Sequence, residues 1–396
     1  MNSGGSALQF DTPGRRSSHG GFLLSLLLPA ACLPLTFMLK RYMHKRERHF
    51  AMLNDNRVVR PFEWGTEFID EFVEGGEPAA MFREHTRHVL ADSDKYFAAP
   101  MPDEFTLERR LYPSAASINA ADLKTAVVQT EVPVLTWQST VATPSAENNT
   151  AVATYFPHAN KRSAVVILPH WNAKAGTYFD LAKFFNKVGL SALRLTLPYH
   201  EERMPPELER ADHLVAPNVG RSLQSIRQSV ADTRAAIMWL KGRGYEKIGV
   251  VGTSIGSCVA FLAFVHDRNI DAAVFNHVSG YMADVVWHGL STYHVRNSFG
   301  DNLELDELRE YWLPVSPMAY MEKLAAQPWR PQRYIYTLYD LSFPVDLSRD
   351  VMRELTRHNI KHSKASIPCG HYTLGEKPWV YLDGYKIIRF LHKHLR

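Results

Sequence analysis

The residues best suited to chemistry are a serine in a glycine-flanked turn and, later in the chain, an aspartate and a histidine. Ser254 is the centre of a Gly-Thr-Ser-Ile-Gly sequence at residues 252–256 and lies between the apolar runs 248–251 and 255–265. About one chain in ten of this length contains such a G-x-S-x-G sequence by composition alone. The flanking runs are the stronger signal, because a strand–turn–helix setting turns the serine hydroxyl outward. We therefore predict that Ser254 is a nucleophile; a plain strand-to-helix turn of small residues is the alternative.

A serine hydroxyl is inert without a general base, and the base needs an acid that orients it. After a motif of this kind the acid and then the histidine are expected later in the chain. Asp340 and His371 each come shortly after a strand-like run, in that order. We predict His371 as the base and Asp340 as its acid. Asp346 and Asp284 are alternative acids, and a turn or helix-capping role is the alternative for Asp340.

Acyl transfer also needs N–H donors for the negative oxygen of its tetrahedral intermediate. The backbone N–H of Ile255, next to the predicted nucleophile, is one candidate. The second is the backbone N–H of Asn172, in the Pro-His-Trp-Asn loop that follows the apolar run 164–168. The alternative for Asn172 is a side chain that braces this loop.

Composition narrows the other classes of function. The 396 residues are 45% hydrophobic and 22% charged, and their net charge of +4 comes from basic residues that are mostly spread out. This distribution argues against a nucleic-acid partner. The three cysteines are too scattered for a disulfide framework or a Cys-x-x-Cys metal site. The adjacent His200, Glu201 and Glu202 cannot easily share one ion, so we predict no metal.

The elements that must position these groups begin near residue 130. Two β-rich runs within residues 134–156 flank a polar loop, which is typical of a hairpin. From residue 163 strands and helices alternate, and the run 164–168 is continuously apolar, as in a strand buried on both faces. The pattern predicts an α/β fold with a mostly parallel twisted sheet and helices on both faces. The alternation lapses over residues 280–328, where we predict a helical lid.

The chain therefore divides into three predicted parts: an N-terminal segment at 1–51, a mostly helical extension at 52–129, and a domain at 130–396 that carries every candidate residue. Residues 22–39 are uncharged and near the length of a membrane-spanning helix. Basic residues follow this segment, so we predict a single-pass membrane anchor with the catalytic domain in the cytoplasm. A cleaved signal peptide is one alternative. The other is a true start at Met52, which would leave a soluble cytoplasmic protein.

Ser254, Asp340 and His371 stand in the chain order nucleophile, acid and histidine. In this order residues 130–396 resemble an α/β-hydrolase. The Leu-Pro-Tyr-His-Glu-Glu-Arg segment at 197–203 is similar, more specifically, to a branch that includes the animal α/β-hydrolase-domain protein eighteen and its bacterial relatives. The resemblance implies a Ser-His-Asp triad and no cofactor. One departure is Trp171, which stands where many members have the first glycine of a His-Gly-Gly sequence.

The predicted function is cleavage of a carboxylic ester, of a small molecule or of a lipid, through an acyl-enzyme on Ser254. Two alternatives stay open at this point. One is an acyltransferase, which uses the same acyl-enzyme and differs only in the acceptor. The other is a catalytically silent scaffold that acts as a binding protein.

Overall fold

The computed structural model describes residues 28–53, 56–113, 129–160 and 162–396. Within them, one nine-stranded sheet has the order β1-β2-β3-β5-β4-β6-β7-β8-β9. The strands are β1 (Phe105–Pro113), β2 (Gln129–Gln138), β3 (Thr150–Phe156), β4 (Ser163–Leu168), β5 (Ser191–Thr196), β6 (Lys247–Thr253), β7 (Ala272–Asn276), β8 (Gln332–Thr337) and β9 (Ser363–Ile367). Strands β1, β2 and β3 pair antiparallel, β3 also pairs antiparallel with β5, and all other neighbours are parallel.

Helices cover both faces of this sheet, because its central strands present apolar residues to both sides. In β4, Val165 and Ile167 belong to one hydrophobic cluster, and Val166 and Leu168 belong to the cluster on the opposite face. This is the two-residue alternation of a strand with both faces buried. The helices at Val219–Gly242 and Ile255–His266 contribute to one cluster, and those at Phe179–Lys187 and Trp379–Leu395 to the other. The predicted α/β class, with a mostly parallel sheet and helices on both faces, is confirmed.

The α-helices observed within the described ranges are α1 (Leu28–Met52), α2 (Pro78–Ala91), α3 (Ser93–Tyr96), α4 (Phe179–Lys187), α5 (Val219–Gly242), α6 (Ile255–His266), α7 (Met282–His288), α8 (Tyr293–Phe299), α9 (Leu305–Tyr311), α10 (Met321–Ala325), α11 (Val345–Arg357) and α12 (Trp379–Leu395).

Strand β1 lies within the extension that the sequence indicated as mostly helical. It pairs with β2 along its length, with Phe105 opposite Trp137. The available signal was an alternation of Phe105, Leu107 and Leu111. It is weak because β1 is the edge strand of the sheet, and both leucines remain exposed. The domain limits at residues 52, 129 and 130 stay predictions, although the sheet itself begins before residue 130.

Residues 280–328, the predicted lid, contain the short helices α7 to α10. Tyr311 and Trp312 are fully buried there, and the indole N–H of Trp312 donates to the backbone oxygen of Val219 at 3.1 Å. The segment is therefore anchored to the first turn of α5. A lid function for it stays a prediction.

The predicted single-pass membrane location is wrong. No helix among the described residues is long and apolar enough to cross a bilayer. Residues 22–27 of the predicted anchor lie outside the described ranges. The remaining residues of that segment begin helix α1, which continues without a break through the basic cluster and ends at Met52. The charged second half of this helix packs on the sheet domain, where Glu47 is fully buried.

The close approach of α6 to β4 gives a first testable prediction. A Cβ added to Gly256 would lie 2.4 Å from the backbone oxygens of both Leu168 and Pro169. Backbone atoms cannot move aside cheaply, so Gly256→Ala is expected to lower the free energy of unfolding by about 1–3 kcal/mol in urea denaturation. Gly242→Ala is the control, because a Cβ there has no atom within 4 Å. Equal stability of the two variants would contradict the close packing.

Candidate active site

Ser254 occupies a sharp turn between β6 and α6. Its backbone has φ 58° and ψ −125°, a conformation that side-chain-bearing residues rarely adopt and that is typical of strained functional positions. Its N–H donates to the backbone oxygen of Asn276 at 2.8 Å, which fixes the turn against β7. A Cβ on Gly252 would lie 1.9 Å from the oxygen of Gly256. The turn therefore closes only with glycine at residue 252.

The structure brings the predicted nucleophile, base and acid together. Nε2 of His371 is 3.1 Å from Oγ of Ser254, and Nδ1 of His371 is 3.0 Å from Oδ2 of Asp340. These residues follow β6, β9 and β8, because the carboxyl ends of parallel strands meet at one edge of a sheet. The alternative acids lie elsewhere. Asp346 pairs with Arg349 at 2.9 Å, and Asp284 forms its ion pair with Arg309.

The carboxylate of Asp340 is buried and receives five hydrogen bonds. The backbone N–H groups of Ser342 and Phe343 donate to Oδ1 at 2.8 and 2.7 Å. The hydroxyl of Thr337 and the Nδ1 atoms of His277 and His371 each lie 3.0 Å from Oδ2. Burial alone would raise the pKa of Asp340, but the charges and hydrogen bonds of the two histidines outweigh it. They hold the pKa of this carboxyl well below its usual range.

The environment of His371 favours its protonated form. Burial alone would lower its pKa, but the charge and hydrogen bond of Asp340 outweigh burial, and the charge of Glu47 adds to them. The pKa of His371 is therefore raised above the usual 6.5. The ring of Phe343 stacks on the imidazole, with centroids 5.2 Å apart and an interplanar angle of 13°. This contact limits rotation of the ring.

His277 is a member of the site that sequence reasoning missed. It directly follows β7, has φ 59°, and its ring centroid lies 4.4 Å from that of His371. Burial lowers its pKa, and the charge of His371 lowers it further. Nδ1 of His277 lies 3.0 Å from Oδ2 of Asp340. Its place at the end of a strand was the available signal. Contact with Asp340 depends on the pairing of β7 with β8, which no local pattern shows.

The two predicted oxyanion donors differ in their surroundings. Ile255 is the first residue of α6, where backbone N–H groups have no acceptor within the helix and the helix dipole favours negative charge. The N–H of Asn172, in contrast, donates to Nε2 of His200 at 2.8 Å, and its side-chain oxygen accepts from the N–H of Ala211 at 2.8 Å. The backbone N–H of Asn172 therefore already has a hydrogen-bond acceptor, and the side chain of Asn172 braces the loop.

The segment 197–203 has a structural part in this arrangement. Nδ1 of His200 lies 2.8 Å from the backbone oxygen of Pro198, which leaves Nε2 as the acceptor for Asn172. Arg203 is fully buried and donates to Asp232 at 2.9 Å and to the backbone oxygen of Asn148 at 2.8 Å. The segment thus ties the loop after β4 to helix α5 and to the connection between β2 and β3.

The cluster of His277, Asp340 and His371 could also be considered as a metal site. Among the residues that the structure describes, His277, Asp340 and His371 place potential ligand atoms within 4.8 Å of one another. The same atoms form the hydrogen bonds described above. An ion at this point would replace the protons that orient the imidazole of His371, so the geometry suits an acid–base pair better than a metal centre.

Ser254 and His371 open into a cavity of about 1280 Å³, larger than most pockets for small ligands. Part of its wall is apolar and comes from helices α6 and α7, through the side chains of Cys258, Met282, Val285 and Val286. The buried Tyr311 and Trp312 belong to the hydrophobic core and not to the cavity lining. The arrangement offers an apolar surface beside the nucleophile.

Comparison with known proteins agrees with this fold. No protein-family model matches the sequence, and no curated protein matches it. Among solved structures, an acetyl xylan esterase from Paenibacillus sp. R4 superposes with a TM-score of 0.53 at 11% identity and covers 82% of this chain and 98% of that enzyme. The acylaminoacyl peptidase of Pyrococcus horikoshii gives 0.50 at 15% identity, covering 62% of this chain.

The chain has the α/β-hydrolase fold, which these structures share. It spans 40% of the length of the peptidase. At such low identities the similarity concerns the fold alone. Membership of the branch indicated by segment 197–203 stays a prediction.

The raised pKa of His371 predicts the pH dependence of an activity that uses it as a base. His371 must be neutral to accept a proton, so kcat/KM should fall on the acid side with a midpoint above 6.5. Asp340→Asn removes the charge that raises this pKa, so the midpoint should move to lower pH. The value of kcat should fall by about 10³–10⁴, because the imidazolium loses its partner. Ester hydrolysis measured across the pH range checks both effects, and an unmoved midpoint would exclude this role for Asp340.

Proposed function

We propose that this protein is a serine hydrolase that cleaves a carboxylic ester through an acyl-enzyme on Ser254. The hydrogen-bonded series from Ser254 through His371 to Asp340, at 3.1 and 3.0 Å, carries the proposal. A base within this distance can take the proton of the serine hydroxyl, and a fixed carboxylate keeps the base in the required orientation.

In the first half of the proposed reaction, Oγ of Ser254 attacks the carbonyl carbon while His371 takes the hydroxyl proton. The carbonyl oxygen becomes an anion beside the N–H of Ile255, at the start of α6. The carbon–oxygen bond to the alcohol then breaks, and His371 returns the proton to the departing alcohol. Asp340 stays ionised throughout, because its pKa lies far below neutral pH.

In the second half, a water molecule takes the place of the alcohol. His371 removes a proton from this water, which attacks the acyl carbon of the ester on Ser254. The second tetrahedral intermediate releases the carboxylic acid, and the proton returns from His371 to Oγ of Ser254. The enzyme is then in its starting state, and no cofactor enters the balance.

The apolar part of the cavity supports an acyl chain of several carbons as the substrate group next to Ser254. Met282, Val285 and Val286, all from helix α7, form this wall together with Cys258. Burial of each methylene group contributes about 0.8 kcal/mol. Chains of medium or greater length, including those of lipid esters, should therefore be favoured over acetate.

Reaction with a fluorophosphonate probe tests the nucleophile. The wild-type protein should form an adduct on Ser254, located by mass spectrometry of peptides, and Ser254→Ala should form none. His371→Ala should react at least about 10³-fold more slowly, because the hydroxyl loses its base. Ser279→Ala is the matched control, since Ser279 also lines the cavity, and it should react like wild type. Absence of an adduct on the wild-type protein would refute the catalytic proposal and favour a silent scaffold.

Narrowing the cavity tests the acyl site. Val285→Trp should reduce kcat/KM for p-nitrophenyl octanoate by about tenfold or more and leave p-nitrophenyl acetate within about twofold, because only the long chain reaches the wall. Val59→Trp, at an exposed valine outside the cavity, is the control. Equal effects on both esters would place the acyl chain elsewhere. Acyl transfer to added alcohols, followed in the same assay, separates an acyltransferase from a hydrolase.

A further inference from the structure

Helix α1 places a buried carboxylate against the loop that carries His371. Glu47 is 0% exposed. Its Oε2 accepts the backbone N–H of Tyr372 at 3.0 Å, and its Oε1 accepts both the backbone N–H and the hydroxyl of Thr373, each at 2.8 Å. These two residues directly follow His371, so three hydrogen bonds fix the chain on one side of the imidazole.

The residue on the other side of His371 belongs to the same network. The N–H of Gly370 donates to the hydroxyl of Thr373 at 2.7 Å. A Cβ on Gly370 would lie 2.2 Å from Cδ of Glu47, so the missing side chain provides the space for the carboxylate. Both chain neighbours of His371 are therefore held, directly or through Thr373, by one carboxylate.

An apolar residue would anchor helix α1 at lower cost, because a buried carboxylate must recover its lost hydration from hydrogen bonds. None of the ion pairs among the described residues includes Glu47; the neighbouring Arg46 pairs with Glu376 instead. Burial raises the pKa of Glu47, and the hydrogen bonds from Thr373 and Tyr372 act in the opposite direction. The partners of this carboxylate thus all belong to the histidine loop.

We infer that Glu47 is a positioning residue for His371, which holds the imidazole between Ser254 and Asp340. The charge of Glu47 also favours the protonated imidazole. The inference rests on the proposed role of His371 as the general base. It makes helix α1 a part of the active site, although the sequence placed this helix outside the catalytic domain. Phe50 and Ala51, at the end of the same helix, also line the cavity.

The charged and titratable groups around His371 come from several elements. They are Asp340 after β8, His277 after β7, His170 after β4, Tyr372 in its own loop with Arg57 donating to the Tyr372 hydroxyl at 3.1 Å, and Glu47 from α1. Of these, Asp340 and Glu47 are the groups that raise the pKa of His371. Loss of the Glu47 charge should therefore lower this pKa, with Asp340 unchanged.

The test compares Glu47→Gln with Glu376→Gln in the full-length chain, using a p-nitrophenyl ester across the pH range. Glu47→Gln loses the charge and puts an amide group against two N–H donors. We expect kcat to fall about 10- to 100-fold with KM within about twofold, because the base is misplaced and the substrate contacts are intact. The acid limb of kcat/KM should move to lower pH. Glu376→Gln removes an ion pair between the same helix and loop, and should keep the wild-type kcat and acid limb.

Glu47→Asp is the second variant, for the case in which Glu47→Gln does not fold. It keeps the charge but is one methylene shorter, so kcat should fall while the acid limb stays at its wild-type position. Wild-type kcat in either folded Glu47 variant would overturn the inference. So would a lower melting temperature in Glu47→Gln with an unmoved acid limb, because that result indicates a structural role alone.

Nuclear magnetic resonance of the histidine side chains separates this inference from the proposed function. If the wild-type protein forms no fluorophosphonate adduct, the proposed function fails, but the pKa of His371 can still be measured. A lower pKa in Glu47→Gln than in wild type would support the electrostatic part of the inference in that case. An identical pKa in the two proteins would overturn it.

Discussion

The buried carboxylate of Asp340 is the interaction on which the site depends. A carboxylate in this position loses its water, and the five hydrogen bonds that replace it come from three strands' ends. Thr337 ends β8, His277 follows β7, and His371 lies in the loop after β9. Thr337, Ser342 and Phe343 belong to the same segment as Asp340. The two histidines reach the carboxylate only because β7 and β9 lie on either side of β8.

Much of this arrangement could be predicted from the sequence, because its signals are local. Strands buried on both faces are continuously apolar, so β4 and β6 stand out, and the turn at Ser254 lies where β6 meets α6. The order of Asp340 and His371 after it is also visible in the chain. Contacts across the sheet or between distant segments have no such signal. His277 was missed for this reason, and so was Glu47, which is 325 residues from Tyr372.

The predictions for Asn172 and for residues 22–39 also differ from the structure, because the position of a residue in the sequence does not fix its contacts. The place of Asn172 after β4 suited an oxyanion donor, but position does not fix the direction of an N–H group, and His200 accepts this one. The uncharged residues 22–39 suited a membrane span by length. Hydropathy describes each residue without its contacts. In the structure, the charged residues that follow residue 39 belong to the same helix, and one of them, Glu47, is buried against the sheet domain.

The attachment of Glu47 to the loop after β9 also has a consequence for biosynthesis. During translation Ser254 and Asp340 leave the ribosome before His371 does. Glu47 is synthesised early, but its partners Tyr372 and Thr373 are added only when nearly the whole chain has been made. Contacts between such distant segments form late in folding, because the closure of a long loop must precede them. A partly synthesised chain therefore holds Ser254 without the proposed base His371, and the proposed activity requires that the first and last parts of the fold have joined.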